Sequence, residues 1–161
     1  MRSPILLLAV IPCWAQLRSV DLAFTGIECA SCLDSLPARL QRMRGVESVK
    51  VDAVKQVLAI RLAAQNRIRL EQIRDAIEQD GTKARQAELI AEGTLAEDGG
   101  AWLLKLPNGG SVFEVSLDGA PPSVQYSLKA GRVSVSGTVR NLRPATGPMT
   151  ISVVSIDRVD P

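Results

Sequence analysis

Between Arg18 and Leu89 the hydrophobic residues change their spacing in a fixed order, and that order limits the folds open to the chain. In SVDLAF, Val20, Leu22 and Phe24 fall on one side and Asp21 and Ala23 on the other, the period of a half-buried strand. Leu33, Leu36, Leu40 and Met43 then recur every three or four residues, a helix face that Gly45 brings to an end. VESVKVD, from Val46 to Asp52, returns to period two through Val49 and Val51. AVKQ makes a turn, and VLAIRL (Val57 to Leu62) places Leu58, Ile60 and Leu62 on one face. Leu70, Ile73 and Ile77 mark a second helix ended by Gly81, and TKARQAEL, Thr82 to Leu89, reads as a weaker last strand. Pro37 would cost about 3 kcal/mol in a helix interior. The first helix is therefore expected to start late, with Ser35 as its cap, or to kink.

Strand, helix, strand, strand, helix, strand is the ferredoxin-like split arrangement: one antiparallel sheet carrying both helices on one face. After about Ala91 the character changes. Gly, Pro and Ser rise, the helical period disappears, and short strand-like runs alternate with turn residues. The run GRVSVSGTV places Val133, Val135 and Val139 at period two, with Gly137 inside it as a bulge or tight bend. MTISVVSIDRV, from Met149, is a further strand. The expected class is α+β: a ferredoxin-like βαββαβ domain over residues 18–90, then a small all-β barrel over 93–161 with a weak OB-like pattern. The barrel's role is not legible.

The first fifteen residues read as a secretory signal: Arg2, the apolar run Ile5 to Ile11, and small residues at Cys13 and Ala15 before cleavage. The run is too short to span a bilayer. The protein is thus expected to be secreted or periplasmic, with no stable membrane insertion after cleavage. Lipid anchoring at Cys13, which Pro12 disfavours, and a partly buried N-terminal strand are the alternatives. Aromatic residues make up only 3% of the chain, so its cores are aliphatic. With a formal charge of +2 and no basic face interleaved with aromatics, nucleic acid is not an expected partner.

The chain has no histidine and three cysteines. Ser-His-Asp and Cys-His catalysis and Cys/His or four-sulfur zinc sites are excluded. What remains is Cys29 and Cys32 in FTGIECASCLDSL, between the first strand and the first helix. Amides at a helix start lack partners and carry partial positive charge, which favours thiolate. Gly26 lets the chain leave the strand sharply, and Ala30 and Ser31 are small. Two thiolates suit a soft ion of low coordination number, Cu(I) or Hg(II), whereas Zn(II) prefers four ligands. A redox or disulfide pair, or an inert pair, are the other readings of these residues. Glu28 is read as a solvated acid before it is read as a ligand, and Lys83 as an exposed lysine at a strand start. Met43, Met149, Trp102 and Tyr126 are read as packing residues.

GIECASC in this position, together with GVESVKVD, resembles the heavy-metal-associated domain family, which includes copper chaperones, modules of metal-transporting ATPases and the periplasmic mercury-binding protein. The resemblance covers about residues 19–88. It implies that Cys29 and Cys32 are metal ligands and that Ile27 takes the packing place of the family's methionine. It implies too a match between Lys83 and a lysine that some copper chaperones place near the thiolates. Glu28 is similar to an acid found before the first cysteine in some zinc, cadmium or lead exporters, against strict copper selectivity. The expected function is extracytoplasmic binding and transfer of a soft metal ion, Cu(I) before Hg(II) or Zn(II), without enzymatic chemistry. The expected partners are the ion and a metal-transporting membrane protein or another carrier. A thiol-disulfide redox protein using the same cysteines, or an interaction module acting through the barrel, are the alternatives.

Overall fold

The computed structural model describes residues 16–27, 30–107 and 109–159. The expected signal segment, Glu28 and Cys29 lie outside these.

The first half follows the periodicities. β1 (Leu17–Thr25), α1 (Ala30–Gln41), β2 (Val46–Asp52), β3 (Val57–Leu62), α2 (Leu70–Glu78) and β4 (Lys83–Asp98) come in the expected order. The strands pair antiparallel as β2-β3-β1-β4. The register stacks apolar side chains into cross-strand rows: Val49, Ile60, Val20 and Leu89 form one, and Val51, Leu58, Leu22 and Ala87 the next. Leu36 and Leu40 of α1 and Leu70, Ile73 and Ile77 of α2 are fully buried in the same core. The opposite face of the sheet is polar. Asp21, Lys50, Asp52, Gln86 and Glu88 line a shallow depression there. Alternation of apolar and polar residues along each strand is what commits one face to the helices.

The late start expected for α1 is not found. The helix begins at Ala30 and continues through Pro37, so Ser35 is not its cap. Instead the Ser35 hydroxyl donates to the Cys32 carbonyl at 2.8 Å. Pro37 can donate no amide to the Leu33 carbonyl four residues back; the Ser35 hydroxyl serves the neighbouring carbonyl, that of Cys32.

The second half is a closed ring. β4 is flanked over 87–91 by β1 on one edge and β7 (Gly131–Val139) on the other. Past the end of β1, its residues 94–98 pair with β5 (Ala101–Lys105). β5 pairs with β6 (Val112–Ser116), and β6 runs parallel to β8 (Met149–Arg158). β8 returns to β7, which closes on β4. This five-stranded barrel encloses Leu95, Leu104, Phe113, Val133, Val135 and Ile151, all fully buried. A closed barrel leaves no unpaired edge. A short helix, α3 (Pro122–Ser127), links β6 to β7. The sequence gives no hint of it, because six residues are too few to show a helical period.

The two halves share β4 and one continuous apolar core. They are also joined through α2. Its first amides are capped from both sides: Arg69 N–H donates to the Gln72 side chain at 2.9 Å, and Leu70 N–H to the hydroxyl of Ser111, from the loop before β6, at 3.1 Å. Ser111 in turn donates to Glu71 at 2.9 Å. Arg74 of α2 donates to the Leu142 carbonyl in the β7–β8 connection.

Candidate metal site

β1 delivers the chain to the cysteine loop. Phe24 is buried and Thr25 pairs with Lys83, so the loop emerges beside the start of β4. Gly26 takes a φ of +87°, open to glycine without strain, and turns the chain out of the sheet. A Cβ on Gly26 would lie 3.5 Å from the Gly81 carbonyl oxygen and 4.0 Å from Lys83 Cγ. Gly26 therefore lies against the 81–83 turn. Ile27 is half-buried and packs against the core, as expected of the residue in the methionine's place.

Cys32 is the third residue of α1, within the turn whose amides have no partner inside the helix. It is half-buried and disulfide-bonded. The only other cysteines in the sequence, Cys13 and Cys29, both lie outside the described residues. Lys83 is the exposed first residue of β4, beside Gly26. Met43 is partly buried against the core, and Met149 is buried in β8. Trp102 packs against the barrel core; the Tyr126 side chain is not among those described. Among the described residues no group of three or more Cys, Asp or Glu side chains converges as metal ligands.

The turn beside Gly26 is held by charge, which residue spacing does not reveal because the partners are far apart along the chain. Arg39 of α1 donates to the Ala76 carbonyl at 2.9 Å and to Asp80 at 2.8 Å. Asp80 also accepts from the Thr82 amide and hydroxyl, at 3.2 and 2.7 Å. Glu78 accepts from the Ala84 amide at 3.2 Å and pairs with Arg143 of the β7–β8 connection. Burial disfavours the charge on Glu78. The hydrogen bonds from Arg143 and Ala84, with the charges of Arg143 and Lys83, outweigh it and hold the carboxyl below its ordinary range. For Asp80, burial is likewise outweighed by Thr82 and Arg39. Both folded pKa values are depressed, so both groups stabilise the fold above their unfolded pKa, and that contribution is lost as pH falls through the folded value. The denaturant midpoint is expected to fall on acidification from neutrality to below about pH 4, and Arg143→Ala should shrink the fall. An unchanged pH profile in that variant would show that the Arg143 pair does not contribute.

The family model for the heavy-metal-associated domain matches residues 22–83, under half of the chain, and bears out the resemblance read from GIECASC and GVESVKVD. No curated protein gives a match. Among solved structures the chain is similar to the CopZ metallochaperone, at 23% identity and a TM-score of 0.38, over 41% of this chain and 97% of that one. It is similar to a copper binding domain from HMA7, a P-type ATPase, at 28% identity and a TM-score of 0.38, over 45% and 92%. A third is the yeast copper transporter domain Ccc2a, solved in apo and Cu(I)-loaded states, at 24% identity and a TM-score of 0.38, over 45% and 93%.

Proposed function

We propose that the chain binds a soft heavy-metal ion through the thiolates of Cys29 and Cys32 and passes it on by ligand exchange in an extracytoplasmic compartment. Cu(I) is the first candidate, ahead of Hg(II) and Zn(II). The reading rests on one observation: Cys32 stands in the first turn of a helix, after a glycine-turned loop, within the segment that matches a heavy-metal-associated domain. Helix-start amides lower the cost of a thiolate there, and two soft donors satisfy an ion that accepts linear coordination. Lys83, beside Gly26, would on this reading offset the negative charge of a two-thiolate complex. No bond-making chemistry is assigned. The receiving partner is read as a metal-transporting membrane protein or another carrier.

We read the barrel as OB-like. Support comes from its five strands, the parallel β6–β8 closure, and α3 between the third and fourth strands.

The disulfide on Cys32 sets a condition. A disulfide has no thiolate to offer, so metal uptake needs prior reduction: two electrons and two protons from a dithiol donor give two thiols, which lose their protons to bind the ion. The same disulfide favours a second reading, thiol-disulfide exchange. One competition experiment separates them. The chain, reduced under inert gas and offered equal amounts of Cu(I), Zn(II) and Hg(II), is expected to carry one Cu(I) or Hg(II) per molecule by native mass spectrometry. A folded, fully reduced chain that retains no soft ion but reduces a model disulfide would replace the carrier reading with the redox one.

A further inference from the structure

The face of the sheet that carries no helix has a charge pattern of its own. Alternation along the strands puts Lys50, Ala59, Asp21 and Glu88 in one row across β2, β3, β1 and β4. Ser48, Arg61, Ser19 and Ile90 form the next row. Lys50, Arg61, Asp21 and Glu88 are all exposed, and none forms an ion pair among the described residues. Asp21 and Glu88 are direct cross-strand neighbours, and like charges so placed destabilise a sheet. The acids of these rows thus sit on β1 and β4, and the bases on β2 and β3. Asp52, at the end of β2, is already engaged by the amides of Val54 and Lys55.

The floor between these charges is made of small side chains. Ala59 and Ala23 are half-buried and Ser19 is buried. Two shallow depressions, of about 410 and 370 Å³, meet at Asp21 and Glu88. Ile90, 41% exposed, stands in the second of them. The face is therefore flat, low at its centre, and divided into an acidic half and a basic half.

We propose that this face joins two copies of the chain, packed about a twofold axis that runs along the strands between β3 and β1. Such an axis lays β2 over β4 of the second copy, and β3 over its β1. Lys50 then meets Glu88 of the second copy, twice by symmetry, and Arg61 comes within one row of Asp21 of the second copy. A twofold contact needs a surface complementary to itself, and the separation of charge between the two halves supplies it. Packed sheets lie about 10 Å apart, a gap that a lysine and a glutamate span together. The contact is small. Four strands about 4.8 Å apart and about six residues long cover roughly 400 Å² per copy, about half of a standard stable interface. The dimer is therefore weak and salt-sensitive. Because the axis follows the strands, both cysteine loops leave the pair at the same end. The association itself does not depend on the metal reading.

Sedimentation of the full chain, reduced and metal-free, tests this. The weight-average mass of wild type is expected to climb with concentration toward that of a dimer, and to fall back as salt rises. Lys50→Glu and Glu88→Lys, both at exposed positions, should each weaken the association at least about tenfold, because two attractions become two repulsions. Mixed together, the two variants should associate again: one chain then carries only acids at positions 50 and 88, and the other only bases. Glu114→Lys makes the same change in net charge at an exposed position of β6 and should associate as wild type does. A wild type that stays monomeric at every concentration would overturn the proposal and leave the face to a different molecule. Association that survives Glu88→Lys would also overturn it, since that is the result expected if two copies paired through the outer edge of β2. So would two variants that remain monomeric when mixed, or an equal loss in Glu114→Lys.

Discussion

Cys32→Ser should lower the Cu(I) affinity of the reduced chain by more than about 100-fold, since loss of a mere supporting group around a metal already costs 10–100-fold. The expectation follows from donor chemistry. Among the described residues no cluster of carboxylates or cysteines stands ready to replace a lost sulfur, and a serine hydroxyl is a hard donor that a soft ion disfavours. Cys29→Ser should behave alike, and the double variant should lose no more than the single ones, because one sulfur alone does not make the site. Chelator competition against a Cu(I) indicator gives the affinities. The fold should survive, because Cys32 is only half-buried and Leu36 and Leu40, which do the packing of α1, are untouched. A single variant that keeps wild-type affinity would remove the cysteine pair from the proposed site. Lys83→Ala is a finer probe: it should weaken Cu(I) binding by far less than either serine variant, since it removes a charge beside the loop and no ligand.

Much of the fold around the candidate site could be read from residue spacing. The rows of Val20, Leu22 and Phe24 and of Leu58, Ile60 and Leu62 forced a sheet, and Leu36, Leu40, Ile73 and Ile77 forced helices onto one face. That order alone puts GIECASC at the end of the sheet where β1 meets α1. Contacts between distant residues were not legible. Nothing in the spacing pairs Arg39 with Asp80, or Glu78 with Arg143 across 65 positions. Of the two outcomes expected of Pro37, a late start with Ser35 as cap is not the one adopted, because the helix runs from Ala30 through the proline and its cost is carried by the packing of Leu36 and Leu40 in the core. The length of β4 was missed for a related reason. The strand was expected to end at Leu89, yet it continues to Asp98 through Gly93: a Cβ there would sit 2.7 Å from the Lys105 carbonyl oxygen. The glycine marks a close approach of β4 to the residues ending β5, and a single sequence does not distinguish that from a turn.

Gly137→Val is expected to be the most damaging of the glycine substitutions, at about 3 kcal/mol, the upper range for overpacking a filled interior. For a chain of this size that is a fall of roughly 6–12 °C in melting temperature. Gly137 lies at the bulge between β7 and β8. A Cβ there would come within 2.6 Å of the Ser152 carbonyl oxygen and 2.8 Å of Ile151 Cγ1, the first of these being backbone. A β-branched side chain cannot be fitted without moving β8, and β8 holds the ring closed through β6. Gly119→Ala offers the contrast. Its φ of +78° penalises alanine by about 1–2 kcal/mol, but nothing lies within 4 Å of the new atom, so the fold need not shift. The damage at Gly137 should not stay in the barrel. Gly137 sits across from Leu89 of β4, and Leu89 sits across from Val20 of β1, so displacement of β7 loads the sheet that carries the cysteine loop. Hydrogen exchange by mass spectrometry should therefore show β1 and β3 amides losing protection together with those of β7, within one unfolding transition. If β1 and β3 keep their protection while the barrel opens, the shared strand does not couple the halves, and the cysteine loop owes its support to α1, α2 and the 79–83 turn alone.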